Sequence, residues 1–258
     1  MSTKEFDPGN LADNLDSLRE NPYPGRGIVL GVATNGDSTI AYWVMGRSEN
    51  SRNRILVRHD QRIETKPYDA SKVVDSSLII YNALDAIGVT HGGAHVVSNG
   101  DQTDTVMHKI ELGNEKSLAA AFREGLLSRD YEPDAPNFTT RITGMIARIG
   151  SETKTYNYSL ISRNPYTEAS EHTFGSGLLS DIPDGAGIAF HTYEGDGDPL
   201  PAFRGSPYPI PLEGSAQETA EALWDVLDRD NRVAIAVKTI DQASRFGYHI
   251  INALGGKQ

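Results

Sequence analysis

The sequence predicts an α+β fold, with large, mainly antiparallel sheets and helices packed on their outer sides. Three observations carry this. Apolar and β-branched runs dominate the chain, among them "GIVLGVAT" (27–34), "TIAYWVMG" (39–46) and "RVAIAVKTI" (232–240). Helical periodicity is confined to a few segments. Strand and helix patterns do not alternate regularly, as a parallel βαβ sheet would require.

Taken in order, residues 1–22 form a polar lead-in, in which Asn10 caps a helix with Leu11, Leu15 and Leu18 on one face, stopped by "NPYPG". A single domain (23–258) follows, since no linker interrupts the chain. Its first two strands are joined by "NGDS", whose Asn35-Gly36 step is a hairpin signal. "RILVRHDQRIET" (54–65) and "KVVDSSLIIYNAL" (72–84) continue the strand character, with apolar density that predicts burial on both faces. "AHVVSNG" (94–100) is a short strand ending in a turn. The period then changes: "NEKSLAAAFREGLLSRD" predicts a helix with Leu118, Phe122 and Leu126 on one stripe and Asn114 as cap. Strands return in "TTRITGMIARIG", "TKTYNYSLISR" and "GAGIAFHTYEG". Ser215 and Glu218 form a capping box ahead of a helix whose buried face is Ala220, Leu223, Trp224 and Leu227. After the strand 232–240, "DQASRFGYHIINALGG" reads as a helix capped by Asp241 and ended by Gly255.

Composition narrows the chemistry. Lys+Arg number 24 against 35 Asp+Glu, a net charge of −11, so the surface repels nucleic-acid backbones. The absence of cysteine excludes disulfides, thiolate catalysis and zinc-thiolate sites. No apolar run is long enough to span a membrane, and no apolar signal core opens the chain, which reads as cytoplasmic. Metal sites are weak: Gly92 and Gly93 keep His91 and His95 off a common helix face. "EGDGDP" (194–199) fails the calcium-loop pattern at Pro199 and Gly205. There is no G-x-S-x-G elbow and no S-x-x-K, and "GSG" (175–177) reads as a flexible loop.

What remains is a series of polar, turn-rich stretches at strand ends. One of them, "MGRSENSRNR" (45–54), puts three arginines into ten residues of an acidic protein. In order they read Y-x-G-R, R-S-x-x-x-x-N-R, Y-N, V-V-S-N-G-x-x-T-D, N-x-x-T-R-I-x-G, G-D-G-x-P-L-P-x-F-R-G and A-V-K-x-I-D. This series, from Tyr23 to the C-terminus, resembles the archaeal-type inosine monophosphate (IMP) cyclohydrolase family. The resemblance implies an Ntn-hydrolase-like fold, a four-layer αββα sandwich. It also implies dehydrative closure of a purine ring on 5-formamidoimidazole-4-carboxamide ribonucleotide, without metal or organic cofactor. The segment before Tyr23 and the altered "DAIGVTHGGAH" depart from the family pattern. This looks like the family's fold without the usual N-terminal nucleophile, since no Cys exists and no Ser or Thr follows a convincing cleavage site near Tyr23.

The substrate implied is a purine ribonucleotide, with no nucleic acid or membrane partner; homo-oligomerisation is left open. Forked guanidinium groups suit its 5′-phosphate. The expected substrate-binding residues are Arg26, Arg47, Ser48, Arg52, Asn53, Asn137, Thr139, Arg141, Arg204 and Lys238. The expected catalytic residues are Asp104 and Glu194 for proton transfer, Tyr81 as acid or hydrogen-bond donor, and Asn99 as a donor to the developing oxyanion. Two other readings stay open: a non-catalytic nucleotide-binding relative, and an Ntn-type amide hydrolase.

Overall fold

A computed structural model describes residues 6–73, 79–88, 93–113, 117–149 and 153–257. Fourteen strands among these residues form two seven-stranded sheets, and every pairing is antiparallel. In the first sheet, β1 (Gly27–Val32) and β2 (Ser38–Met45) are central, joined by the turn in which Gly36 adopts a φ of 81°. β10 (Ala186–His191) and β11 (Tyr208–Pro211) extend it on one side; β12 (Arg232–Ile240), β13 (Phe246–Asn252) and β14 (Gly256–Lys257) extend it on the other. The second sheet runs in chain order: β3 (Arg54–His59), β4 (Arg62–Pro67), β5 (Tyr81–Ile87), β6 (Ala94–Ser98), β7 (Arg141–Ile149), β8 (Thr153–Arg163) and β9 (Ser170–Leu178).

Strand alternation fills three layers of core. Ile28, Leu30, Ile40 and Tyr42 of the first sheet meet Leu56, Leu84, Val97, Ile142 and Ile146 of the second between the sheets. The opposite faces of β1, β2 and β12 put Val29, Trp43, Ile235 and Val237 under α5 (Ala216–Val226) and Leu18 of α1 (Pro8–Glu20). Val96, Met145 and Ile161 lie under α3 (Gln102–Glu111) and α4 (Leu118–Leu127). The order is helix, sheet, sheet, helix, the four layers that the resemblance implies. No helix among the described residues is long and apolar enough to cross a membrane.

The Ser215–Glu218 capping box is present. Other local expectations are corrected. "FGYHIIN" is β13, not a helix: Phe246, Tyr248 and Ile250 alternate with Gly247, His249 and Ile251, and pairing with β12 satisfies both backbones. The Asp241 carboxylate instead accepts from the Arg245 amide, closing the turn before that strand. "GSG" is not a loop but the middle of β9, where Gly175 and Gly177 leave room for Tyr158 and Tyr156: a Cβ at Gly175 would fall 2.2 Å from the Tyr158 ring. β3 and β4 are buried on one face only, since helices do not reach the outer side of this hairpin. α1 is capped by Asp7 rather than Asn10, with Pro8 in its first turn. α4 is capped by Ser117; Asn114 lies outside the described residues.

A candidate active site in a two-sheet cleft

Where β1 begins and β2 ends, the sheets part around a cleft of about 320 Å³. The first sheet supplies Tyr23, Arg26 and Arg47 from the strand ends, and Tyr193 from the loop after β10. Gly25, at a φ of 75°, turns the chain tightly into this rim: a Cβ there would meet Thr192 and Tyr193 at 2.2 and 2.5 Å. The second sheet supplies Arg54 at the start of β3, and Glu132, Asp134 and Asn137 from the loop between α4 and β7.

A buried ion pair crosses from one sheet to the other. Arg26 Nη2 donates to Glu132 Oε2 at 3.0 Å, with both side chains less than a tenth exposed. Burial, with a smaller push from Asp134, raises the Glu132 pKa, and the Arg26 and Arg141 charges only partly offset it, so the carboxyl holds its proton more tightly than an ordinary glutamate. Burial works against the Arg26 charge too, yet Glu132 and the phenols of Tyr81, Tyr193 and Tyr42 raise its pKa well above the ordinary value. Asn99 Nδ2 donates to the other Glu132 oxygen at 3.2 Å and to the Thr140 carbonyl at 3.0 Å. Its Oδ1 accepts from Gln102 and from the Ile142 amide, which fixes which way the amide points. Behind the pair, the Tyr42 and Tyr81 hydroxyls lie 2.7 Å apart. At its side, Thr139 bridges the Asp134 carboxylate and the Tyr193 hydroxyl, and burial pushes the Tyr193 pKa up to about 12.

The cationic face of the cleft is uneven. Arg47 is half-exposed, stacks over Tyr23 at 5.1 Å and is bound to Asp196 and the Gly197 carbonyl. Arg54 is 8% exposed, and its Nε and Nη1 have no hydrogen-bond partner. A buried guanidinium with two unmet donors is costly unless an anion completes it. Ser48 and Ser51 hold each other in a capping box beside it.

Of the residues expected from sequence, Arg26, Arg47, Ser48 and Asn137 line the cleft, and Tyr81, Asn99 and Thr139 brace it from behind. Arg141 stands one residue further back, bonded to Gln102 and Asp101. The others lie elsewhere. Arg52 is turned away, donating to the Gly46 carbonyl and to Asn231. Asn53 is spent on the backbone of Asp69. Asp104 accepts from Asn82 on the exposed side of α3. Glu194 closes its own loop by accepting from the amides of Arg204 and Gly205. Arg204 reaches the Arg163 carbonyl. Lys238 is fully buried near the opposite end of β12, 3.5 Å from Gln61 and over the rings of Phe246 and Tyr248. The residues expected from sequence did not include Glu132, Asp134 or Arg54. The signal for Arg54 was present, since it shares the inward parity of Leu56 on β3; "EPDAPN" around Glu132 looked only like a chain break. No group of three or more His, Asp or Glu that could hold a metal occurs among the described residues.

A carboxylate and a guanidinium paired across two sheets, beside an uncompensated buried arginine, make this cleft the candidate site for a small-molecule anion on an αββα scaffold. Residues 23–244 match the model of a family described as IMP cyclohydrolase-like protein, and the chain belongs to that family. It is 33% identical over 127 residues to an IMP cyclohydrolase of Methanococcus maripaludis, covering 49% of this chain and 59% of that protein. Over 124 residues it is 35% identical to an IMP cyclohydrolase of Natronomonas pharaonis, covering 48% and 58%. A protein of the same name from Methanocella arvoryzae is 32% identical over 126 residues, covering 49% and 58%. The chain thus spans under two thirds of the length of the relatives it matches.

Proposed function

We propose that this chain is an IMP cyclohydrolase of the cytoplasm, closing the pyrimidine ring of 5-formamidoimidazole-4-carboxamide ribonucleotide. The carboxamide nitrogen attacks the formyl carbon, giving a carbinolamine; loss of water then yields inosine monophosphate. Both reacting groups sit on one imidazole, so the protein need only fix their rotamers, move protons and stabilise the oxygen that develops charge. The observation that carries the reading is the Arg26–Glu132 pair in the cleft. Glu132, with its raised pKa, takes the proton from the attacking nitrogen and returns it to the departing hydroxyl. Arg26 stabilises the carbinolamine oxygen, and Asn99 orients the carboxylate. Arg54, with Arg47 and Ser48 at the rim, holds the 5′-phosphate, whose oxygens complete the unmet Arg54 donors. Asp104 and Glu194 are not given proton-transfer roles, because each is committed to a structural partner outside the cleft.

The test is a spectrophotometric ring-closure assay on the purified chain. Formation of inosine monophosphate that is lost in Glu132→Gln is the expected result. A chain that binds inosine monophosphate but never consumes the formamido substrate would leave only nucleotide binding.

A further inference from the structure

At the far end of the inter-sheet space from the cleft lies a larger cavity of about 840 Å³, within the size range of small-molecule sites. Its floor is cationic. Arg148 and Lys154 are cross-strand neighbours on β7 and β8, and both reach this cavity. Lys154 Nζ donates to Ser38 Oγ of β2 at 2.8 Å, which leaves two ammonium donors for another acceptor. Among the described residues Lys154 makes no ion pair within 4 Å; burial and the Arg148 charge lower its pKa, against the through-space pull of Asp37 and Asp241, so an anion seated here would relieve it. Arg148 donates to Ser244 at 2.9 Å. The opposite wall is apolar, formed by Val32, Leu179 and Ile182, with half-exposed Leu178 at its edge and Asp184 on the solvent side.

A small pocket that shares Ser38, Arg148 and Lys154 with this cavity is lined by His95. This imidazole is 7% exposed, and its Nδ1 has no hydrogen-bond partner. A buried polar atom without a partner calls for an explanation, and a ligand or an ordered water seated there supplies one. Lys154, with no carboxylate within 4 Å among the described residues, thus stands beside an unmet histidine at the edge of open, half-apolar space, with Arg148 as its cross-strand neighbour.

We propose that this cavity is a second ligand site, separate from the cleft, for a small organic anion. A carboxylate, sulfonate or phosphate head would sit on Lys154 and Arg148, with an apolar body against Val32, Leu179 and Ile182. The site does not depend on the reaction assigned to the cleft.

The experiment uses the full chain and 8-anilinonaphthalene-1-sulfonate, which joins an anionic head to an aromatic body, in fluorescence and calorimetric titrations. One saturable site per chain is expected. Lys154→Met should weaken it by about tenfold or more, the worth of one charge-assisted hydrogen bond. Leu178→Glu, at an exposed position that the fold tolerates, should weaken it by repulsion even if Lys154→Met folds poorly. Arg54→Met should leave it unchanged. The proposal fails if binding is not saturable, or if both Lys154→Met and Leu178→Glu bind as the parent does. It also fails if inosine monophosphate displaces the probe and Arg54→Met abolishes binding, because the probe then occupies the cleft.

Discussion

The two ends of the inter-sheet space bury cations in opposite ways. At the cleft, Arg26 keeps its charge because a carboxylate from the facing sheet lies 3.0 Å away. At the far end, burial pushes the Lys238 pKa down to about 7, against the pull of Asp85, and that of His95 down to about 3. Desolvation is common to both ends; what differs is an anion in direct contact. Of Arg26 and Lys238, the group that keeps its charge is the one with a carboxylate in direct contact. The fully buried lysine, the more conspicuous residue in the sequence, is the one that holds its proton weakly.

The largest expected effect tests the charged end. Glu132→Gln keeps the shape of the side chain and removes its basicity, so turnover should fall by about 10²–10⁴-fold with nucleotide binding largely retained. Single-turnover cyclisation with melting temperatures alongside measures it; a parent-like rate would strip the ion pair of its catalytic role. Next, Arg54→Met should weaken substrate binding by about 2–4 kcal/mol, because it removes a desolvated contact to the phosphate. The free protein should lose no stability, since this guanidinium has unmet donors before substrate arrives. A Michaelis constant equal to the parent's would place the phosphate elsewhere.

Lys238 predicts the reverse sign. Between pH 7 and 10.5 the unfolded chain holds a proton that folded Lys238 has released, so stability should rise with pH across that window. Lys238→Met should therefore stabilise the protein by about 2–3 kcal/mol at pH 7, a part of the cost that such a pKa shift represents. The gain should vanish towards pH 10.5. Urea denaturation at pH 7, 8.5 and 10 would show it, and a destabilised variant at every pH would mean the ammonium is charged and paired after all. The smallest effects belong to Asp104→Asn and Glu194→Gln, whose turnover should stay within about twofold of the parent, as for surface changes outside the site. A hundredfold loss in either, without unfolding, would move proton transfer out of the cleft.

Much of the fold was legible because strand and helix periodicity is local. The Asn35-Gly36 hairpin and the Ser215 capping box each depend on a few adjacent residues. The failures came where a partner distant in sequence decides. Gly175 and Gly177 look like a loop until Tyr158 and Tyr156, on the neighbouring strand, require the missing side chains. "FGYHIIN" satisfies helical spacing as well as alternation, and only the free edge of β12 selects the strand. The start of α3 hid in "NGDQTD", where turn-forming residues run straight into the first helical turn without a side-chain cap. The site divided in the same way. Arg26, Arg47 and Ser48 lie in dense polar motifs at strand ends. Glu132 lies in a proline-flanked loop, and its importance comes from Arg26, 106 positions earlier.

That pairing makes the cleft a pair of jaws, one hinged to each sheet. Arg26 moves with the first sheet. Glu132 moves with the second, through its backbone bond to Thr139 ahead of β7 and the Asn99 bridge to Thr140. Their spacing is therefore set by how closely the sheets stack, which is decided far from any substrate, where Ile28 and Leu30 press on Gly144. The hydrophobic layer is the spring of a calliper: whatever thickens or thins it resets the gap in which a proton has to cross.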